Sequence, residues 1–205
     1  MSSTTLYRLS GISLLIGSVL TFIGTIPDTV SPDSISTFNV LGSVLSLIGI
    51  MLIVLGVPGM YARQAERAGI LGLIGSILTV FFVLMAGYTG NILSAFVNPF
   101  LAAHSLLHAP SPIGIFIFFI VGSLLGLVGG TLLGIATIRA AILPRWAGML
   151  LIAGGVLILV GNFFQPIGGI SVLIFLAALA WLGMAVWSNP QTTVQAPLTT
   201  TEVRA

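Results

Sequence analysis

The chain has 205 residues, of which 57% are hydrophobic and only 5% charged, whereas soluble domains carry about 25% charged residues. A chain this apolar cannot cover a water-facing surface, so we expect its surroundings to be lipid. Six Arg without any Lys do not form the dense basic surface that nucleic-acid binding requires, and the absence of Cys excludes disulfides, thiolate catalysis and Cys-ligated metal centres.

Six apolar segments follow one another, each near the roughly 20 residues that a helix needs to cross a bilayer. Helices are expected because a lone strand would leave its backbone groups unpaired in hydrocarbon. The predicted fold class is therefore all-α, a bundle of six transmembrane helices within residues 1–188. The predicted spans are about residues 6–26, 38–57, 68–88, 113–138, 147–164 and 170–187.

Both ends of the chain carry segments that need a separate interpretation. Arg8 precedes an apolar run that reaches Ile26, which is longer than a signal-peptide core, and no A-x-A site follows it. We therefore interpret this run as an uncleaved span. Residues 189–205 are rich in Thr and polar side chains, so we expect a flexible cytoplasmic tail.

The arginines predict the orientation of these spans. Arg8 flanks the first span, and Arg63 and Arg67 lie between spans two and three. Arg139 and Arg145 lie between spans four and five, and Arg204 lies in the tail. The other three connections contain no Arg. By the positive-inside rule, both termini should face the cytoplasm, and the expected location is a cell membrane, in particular a prokaryotic cytoplasmic membrane.

An internal repeat is visible in the spacing of the glycines. The odd-numbered spans begin with Gly11-x5-Gly17, Gly69-x5-Gly75 and Gly148-x5-Gly154, and the even-numbered spans two and four share a Gly-Ser start and a second Gly seven residues later. This pattern predicts three tandem helical hairpins in parallel orientation. The alternative is chance similarity among spans rich in Gly and Leu.

Glycines also predict where the helices touch, because small residues let backbones approach closely in lipid. On the fourth span, four of them form a continuous small-xxx-small line that should pack on another helix. The predicted packing positions are Gly11, Gly17, Gly24, Gly42, Gly49, Gly69, Gly75, Gly122, Gly126, Gly130, Gly134, Gly148, Gly154 and Gly161.

Two histidines form the one group of residues that resembles a ligand site. His104 and His108 are four residues apart, so a helix would present both on one face. With Asp28 and Asp33, predicted on the same side of the membrane, they could bind a divalent metal, or one His could hold a haem or chlorophyll-type cofactor. The alternative is a pair of interfacial histidines that bind nothing, and no particular cofactor is implied.

The remaining polar residues predict smaller features. Residues 89–112 should form an irregular outer connection with a short interfacial helix from about Pro99 to His108. Arg63, Glu66 and Arg67 should form an exposed cytoplasmic cluster that serves mainly topology. Asn162 and Gln165 either join the histidines in a polar cup or satisfy a helix end.

Three groups of residues resemble the HdeD-like family of small bacterial membrane proteins. They are Gly17, Gly24 and Pro27, then Gly42, Gly49 and Gly56, and finally Gly154, Gly161 and Pro166. The resemblance implies three two-helix repeats and a non-enzymatic, stress-related membrane protein, and it assigns a role to no residue here.

Two functional classes remain open from the sequence, besides the metal or pigment site. No acid or base falls in the middle of a span, and no Ser/His/Asp arrangement or phosphate loop is present, so we expect no enzymatic activity. The first hypothesis is an accessory or scaffold subunit that acts through helix contacts, as a homo-oligomer or with other membrane subunits. The second is a carrier or channel for a small neutral or lipidic molecule, which would require a cavity lined by Ser, Thr and Gly.

Overall fold

The computed structural model describes residues 3–30, 35–105 and 113–188, and these are almost entirely helical. Helix α1 is Ser3–Val30 and α2 is Thr37–Phe82. A continuous helical segment follows α2, formed by a π-helical turn at Val83–Tyr88, α3 at Thr89–Ile92, a second π-helical turn at Leu93–Val97 and α4 at Asn98–Ala103. The remaining helices are α5 at Ile113–Ala140, α6 at Arg145–Gly161 and α7 at Gln165–Ser188.

The all-helical prediction is confirmed, since the described ranges contain no strand. By length and composition, four helical segments could cross a membrane: Thr5–Asp28, Thr37–Ala103, Ile113–Ala140 and Gly168–Ser188. Helix α6 is also apolar but has only 17 residues. These helices agree with the prediction of a membrane protein.

The chain reverses direction at Gly69, inside the long second segment. Gly69 has φ +57° and ψ −154°, a combination that is essentially restricted to glycine. A β-carbon at Gly72 would lie 3.2 Å from Tyr61 Cε2, and one at Gly87 would lie 3.2 Å from Ile50 Cδ1. Residues 37–68 and 70–103 therefore lie side by side as two antiparallel helices.

The second of these helices is longer than the sequence predicts. The expected span ends near Tyr88, whereas the helix continues to Ala103. Pro99 has no amide hydrogen to donate, and it is the second residue of α4, just after the π-helical turn at Leu93–Val97, where the regular hydrogen-bond pattern has already changed. The sequence predicted a separate short helix from about Pro99 to His108. In the structure Pro99 lies in α4, which continues the preceding helix and ends at Ala103, and His108 lies outside the described residues.

The helices form a closed ring of antiparallel neighbours. Helix α1 packs on residues 37–68, residues 70–103 pack on α5, α5 packs on α6, α6 on α7, and α7 on α1. Each neighbouring pair approaches closely at glycine: Gly17 with Gly49, Gly75 with Leu133, Gly134 with Gly148, Gly154 with Phe175, and Gly183 with Gly11.

Most of the predicted packing glycines lie at these helix crossings. A β-carbon would come within 3.0 Å of a neighbouring helix at Gly11, Gly17, Gly24, Gly42, Gly49, Gly75, Gly126, Gly134, Gly148 and Gly154. At Gly130 and Gly122 the nearest atoms are 3.1 Å and 3.5 Å away. The glycine line on α5 faces three helices. Gly122 and Gly126 meet residues 70–103, Gly134 meets α6, and Gly130 meets both α6 and Phe175 of α7.

Five arginines lie at one end of the ring, which we call the arginine end. Gly11 near the start of α1 meets Trp187 near the end of α7, Arg63 reaches Val186, and Gln64 reaches Thr137 near the end of α5. The arginines at this end are Arg8, Arg63, Arg67, Arg139 and Arg145; Arg204 lies outside the described residues. The opposite end, which we call the polar end, contains Asp28, Asn91 and Asn162.

Candidate functional site: a cavity at the polar end

A cavity of about 340 Å³ lies inside the ring and extends to the polar end. Ligand sites in proteins usually have about 300–1,000 Å³, so this cavity could hold a small molecule. All parts of the ring contribute residues to its wall. Toward the arginine end the interior is filled by side chains that are fully buried, among them Leu14, Met60, Leu133 and Leu182.

The deep part of the cavity is apolar. Ile50 and Ile53 face Phe175, Leu176 and Leu179 across it, and each of these five side chains is at most 5% exposed. Phe82 also belongs to this wall, and its ring meets that of Phe175 edge to face at 5.4 Å. The edge-to-face contact holds both rings in place and gives the cavity a rigid apolar floor.

The rim of the cavity is polar. It is formed by Thr25, Asp28, Asn91, Ser123, Asn162 and Ser171. Asp28 is exposed, whereas Ser171 is almost fully buried. Asp28 is the one ionisable side chain among the described residues that line the cavity. An apolar interior with a few polar groups at one end is typical of a site for an amphiphilic molecule.

One wall of the cavity coincides with the first π-helical turn, Val83–Tyr88. Val83, Ala86 and Gly87 from this turn line the cavity, followed by Gly90 and Asn91. A π-helical turn widens the helix by one residue and often lies at a functional site. Gly87 in this turn and Gly90 just after it have no side chains, which leaves space at the wall that larger residues would fill.

Most polar side chains of the rim donate hydrogen bonds to carbonyl oxygens of the protein. Thr25 Oγ1 donates to Phe22 O at 2.8 Å and Ser171 Oγ to Gly168 O at 2.6 Å. Asn91 Nδ2 donates to Gly87 O at 2.8 Å. These bonds fix the side chains and determine which of their atoms are left to face the cavity.

Asn162 and Ser123 join α6 to α5 across the rim. Asn162 Nδ2 donates to Ser123 Oγ at 2.7 Å and to Ile158 O at 2.9 Å, while Ser123 Oγ donates to Phe119 O at 2.8 Å. The sequence predicted that Asn162 either joins the histidines in a polar cup or satisfies a helix end. Its bond to Ile158 O near the end of α6 agrees with the second alternative, and the wall that it shares contains no described histidine. The side chain of Gln165 lies outside the described residues.

The residues predicted to form a metal or pigment site are not all described. His108 and Asp33 lie outside the described residues. His104 is exposed, its Nδ1 lies 2.9 Å from Phe100 O, and its ring lies 4.3 Å from that of Phe100. Asp28 lies at the cavity rim, and His104 is not part of the wall. Within the described ranges, no three His, Cys, Asp or Glu residues come together in a group that could hold a metal ion.

Arg63 differs from the exposed cluster that the sequence predicts. It is only 8% exposed, and its guanidinium donates to Ala185 O at 3.0 Å and to Val186 O at 2.6 Å. These carbonyls belong to the last turn of α7, whose C-terminal carbonyl groups favour a cation. Glu66 and Arg67 are exposed as expected.

Some residues of the site and its support were missed by the sequence interpretation. Gln64 is fully buried and donates to Thr137 Oγ1 at 3.3 Å, and the sequence interpretation assigned it no role. Thr25 and Ser171 were not singled out. The internal repeat did contain a signal for one residue of the cavity wall. Thr21 lines the cavity, and it follows Gly17 at the same spacing at which Thr79 follows Gly75.

Comparisons of the chain with protein-family models, with curated proteins and with solved structures find no match. The resemblance to the HdeD-like family therefore stays a prediction.

Proposed function

We propose that the protein is a non-catalytic membrane protein that binds a small, largely apolar molecule inside its helical ring. The observation that carries this proposal is the cavity of about 340 Å³ with a buried apolar floor and a polar rim at one end. It favours the second of the two hypotheses drawn from the sequence, which required a cavity lined by Ser, Thr and Gly. Residues of these types form part of the wall, together with the apolar side chains of the floor, which the sequence hypothesis did not include. Because fully buried side chains fill the ring below the floor, the ligand enters from the polar end.

The proposed topology has six membrane crossings with both termini in the cytoplasm. The reversal at Gly69 supports this number, since it divides Thr37–Ala103 into two antiparallel helices. With α1, α5 and α7 these make five helices, and α6 is the sixth. The gathering of five arginines at one end of the ring supports the orientation. The cavity would then open on the outer side of a prokaryotic cytoplasmic membrane.

We also propose that the ring consists of three tandem hairpins. In support, Gly17, Gly75 and Gly154 each meet the second helix of their own hairpin. Between hairpins, Gly183 meets Gly11 O and Leu15, and Gly134 meets Gly148 O and Ile152. Gly148 and Ile152 follow Gly11 and Leu15 at one constant offset in the sequence, so equivalent positions have equivalent neighbours.

Cysteine protection in lipid nanodiscs tests whether the cavity binds a ligand. The chain has no Cys, so Ser171→Cys introduces one thiol into the wall. We expect a small neutral thiol reagent to modify this thiol and 1-octanol to slow the modification. Val30→Cys is the matched control, because Val30 is 72% exposed and lies outside the cavity.

A variant that fills the cavity provides the second arm of this test. A β-carbon at Gly90 would have one neighbour within 4 Å, Phe119 Cε1 at 3.8 Å, so Gly90→Phe can place its ring in the cavity. Combined with Ser171→Cys, it should remove the protection by 1-octanol. Equal protection at Val30→Cys, or protection that survives Gly90→Phe, would show that the alcohol acts through the bilayer.

The accessory-subunit hypothesis and the metal or pigment hypothesis stay predictions. Purification in mild detergent tests the first: a monomer without any co-purifying protein would contradict it. Elemental analysis and an absorption spectrum of natively purified protein test the second. A colourless, metal-free sample would contradict a site at His104 and His108.

A further inference from the structure

We infer that the cavity selects a cationic amphiphile, with an ammonium group at the rim and an alkyl chain on the apolar floor. This inference rests on the proposed function and names its ligand class. It follows from the hydrogen-bond inventory of the rim together with the position of one carboxylate.

The rim presents mainly hydrogen-bond acceptors to a ligand. The hydroxyl groups of Thr25, Ser123 and Ser171 donate their single hydrogens to carbonyl oxygens of the protein. A hydroxyl whose hydrogen is used in this way retains only lone pairs. A ligand group that binds these hydroxyls must therefore supply the hydrogen itself.

The two asparagines have the same orientation. A carbonyl oxygen cannot donate, so the atom of Asn91 next to Gly87 O and the atom of Asn162 next to Ile158 O must be amide nitrogens. Asn162 Nδ2 uses both of its hydrogens, on Ile158 O and on Ser123 Oγ, whereas Asn91 Nδ2 uses one of its two. In each side chain the carbonyl oxygen is left as an acceptor. Both asparagines thus add acceptors to the rim.

Asp28 gives the rim its charge. An ionised carboxylate only accepts hydrogen bonds, and no basic side chain is found among the described residues of the cavity wall. An alkylammonium group offers three donors and a positive charge. An alkyl carboxylate has no donor and would be repelled by Asp28, while a neutral alcohol has one donor.

The apolar floor accounts for the rest of the ligand. Below the rim the wall consists of aliphatic and aromatic side chains, including Ile53, Phe175 and Leu179. Burial of a methylene group there contributes the usual hydrophobic gain, which is independent of the head group. The three probes octylammonium, 1-octanol and octanoate therefore share one tail and differ in the group that meets the rim.

Protection of Ser171→Cys by these three probes, measured in phosphatidylcholine nanodiscs with a neutral thiol reagent, tests the inference. For each probe, we compare the concentration that gives half protection in Ser171→Cys with that in the double variant Asp28→Asn, Ser171→Cys. Because the same probe partitions equally into the lipid of both samples, partitioning does not affect the ratio of the two concentrations. We expect Asp28→Asn to raise this concentration about fivefold for octylammonium, as for an exposed charge pair. The value for 1-octanol should stay unchanged, and that for octanoate should fall or stay the same.

Glu66→Gln is the matched control, because it removes the same charge from an exposed residue near the arginine end. It should leave all three values unchanged. If 1-octanol protects but octylammonium binds equally well with and without Asp28→Asn, the selectivity for cations is refuted while the binding site remains. If no probe protects Ser171→Cys, the proposed function itself is refuted.

Discussion

Gly17 and Gly49 each lie against the backbone carbonyl oxygen of the other, where α1 crosses residues 37–68. A β-carbon on either residue would lie 2.6 Å from the oxygen of its partner, which is closer than real β-carbons approach. Both glycines were predicted packing positions. Apolar side chains gain little free energy by packing together in lipid, because lipid tails are equally apolar. Close backbone contact of this kind therefore holds neighbouring helices together.

Gly49→Ala should therefore lower the stability of the bundle. The added methyl group would lie 2.6 Å from Gly17 O and 2.7 Å from the amide nitrogen of Thr21. The two helices must therefore separate, at a cost of about 1–3 kcal/mol. The thermal midpoint in detergent measures this cost. Gly114→Ala is the control, because a β-carbon there meets nothing within 4 Å, and equal midpoints for the two variants would contradict the contact.

Gly69→Ala should lower stability for a different reason. No described atom lies within 4 Å of a β-carbon at Gly69, so there is no clash, but the backbone conformation itself excludes other residues. We expect a loss of about 1–3 kcal/mol in the free energy of unfolding. Gly90→Ala, a glycine inside the helix at residues 70–103, serves as the control and should cost less. A Gly69→Ala variant as stable as this control would argue against a reversal at Gly69.

Part of this fold could be predicted from the sequence, because lipid imposes simple rules. Apolar runs must be helical, and glycines at regular spacing indicate where helices meet, as at Gly17 and Gly75. The end of the helix over residues 70–103 was not predictable in this way. Residues 89–103 include Pro99 and polar side chains that are typical of a loop, yet two π-helical turns let the helix continue.

The cavity was less predictable than the helices. It exists because α7 returns to α1 and closes the ring, so that Thr25, Asn91 and Ser171 from three separate helices come together. Sequence spacing describes one helix at a time and does not show which helices close a ring. For the same reason Arg63 was expected at the surface, since its acceptors lie in α7, more than a hundred residues away.

Arg63→Gln should loosen the end of α7. The variant loses the two hydrogen bonds that the charged guanidinium donates to Ala185 O and Val186 O. A hydrogen bond that involves a charged group contributes about 1.5–3 kcal/mol to stability. Hydrogen exchange of the last turn of α7 should become faster, and the thermal midpoint should fall. Arg67→Gln removes the same charge at an exposed position and should change neither quantity. Unaltered exchange in α7 after Arg63→Gln would contradict this role.

Gln64 allows a test with two opposite outcomes. It is fully buried, and its Oε1 has no hydrogen-bond partner among the described residues. Gln64→Leu keeps most of the volume. It loses the hydrogen bond to Thr137 Oγ1, which contributes about 0.5–1.5 kcal/mol, and it removes a buried oxygen whose desolvation costs about 1–3 kcal/mol, so the variant should be as stable as the wild type or more stable. Gln64→Ala leaves a void and should cost about 2 kcal/mol or more. A Leu variant as unstable as the Ala variant would indicate that the amide binds a further group, such as a water molecule.

Labelling of single cysteines tests the six proposed crossings. A helix over residues 70–103 is about 50 Å long at 1.5 Å per residue, whereas the hydrocarbon core of a bilayer is about 30 Å thick. The exposed His104 at its end should therefore reach the outer aqueous phase. In intact cells, an impermeant maleimide should label Asp28→Cys and His104→Cys, and it should label Arg67→Cys only after permeabilisation. If His104→Cys also requires permeabilisation, residues 70–103 do not cross the membrane, and neither the count of six nor the outward opening of the cavity can be retained.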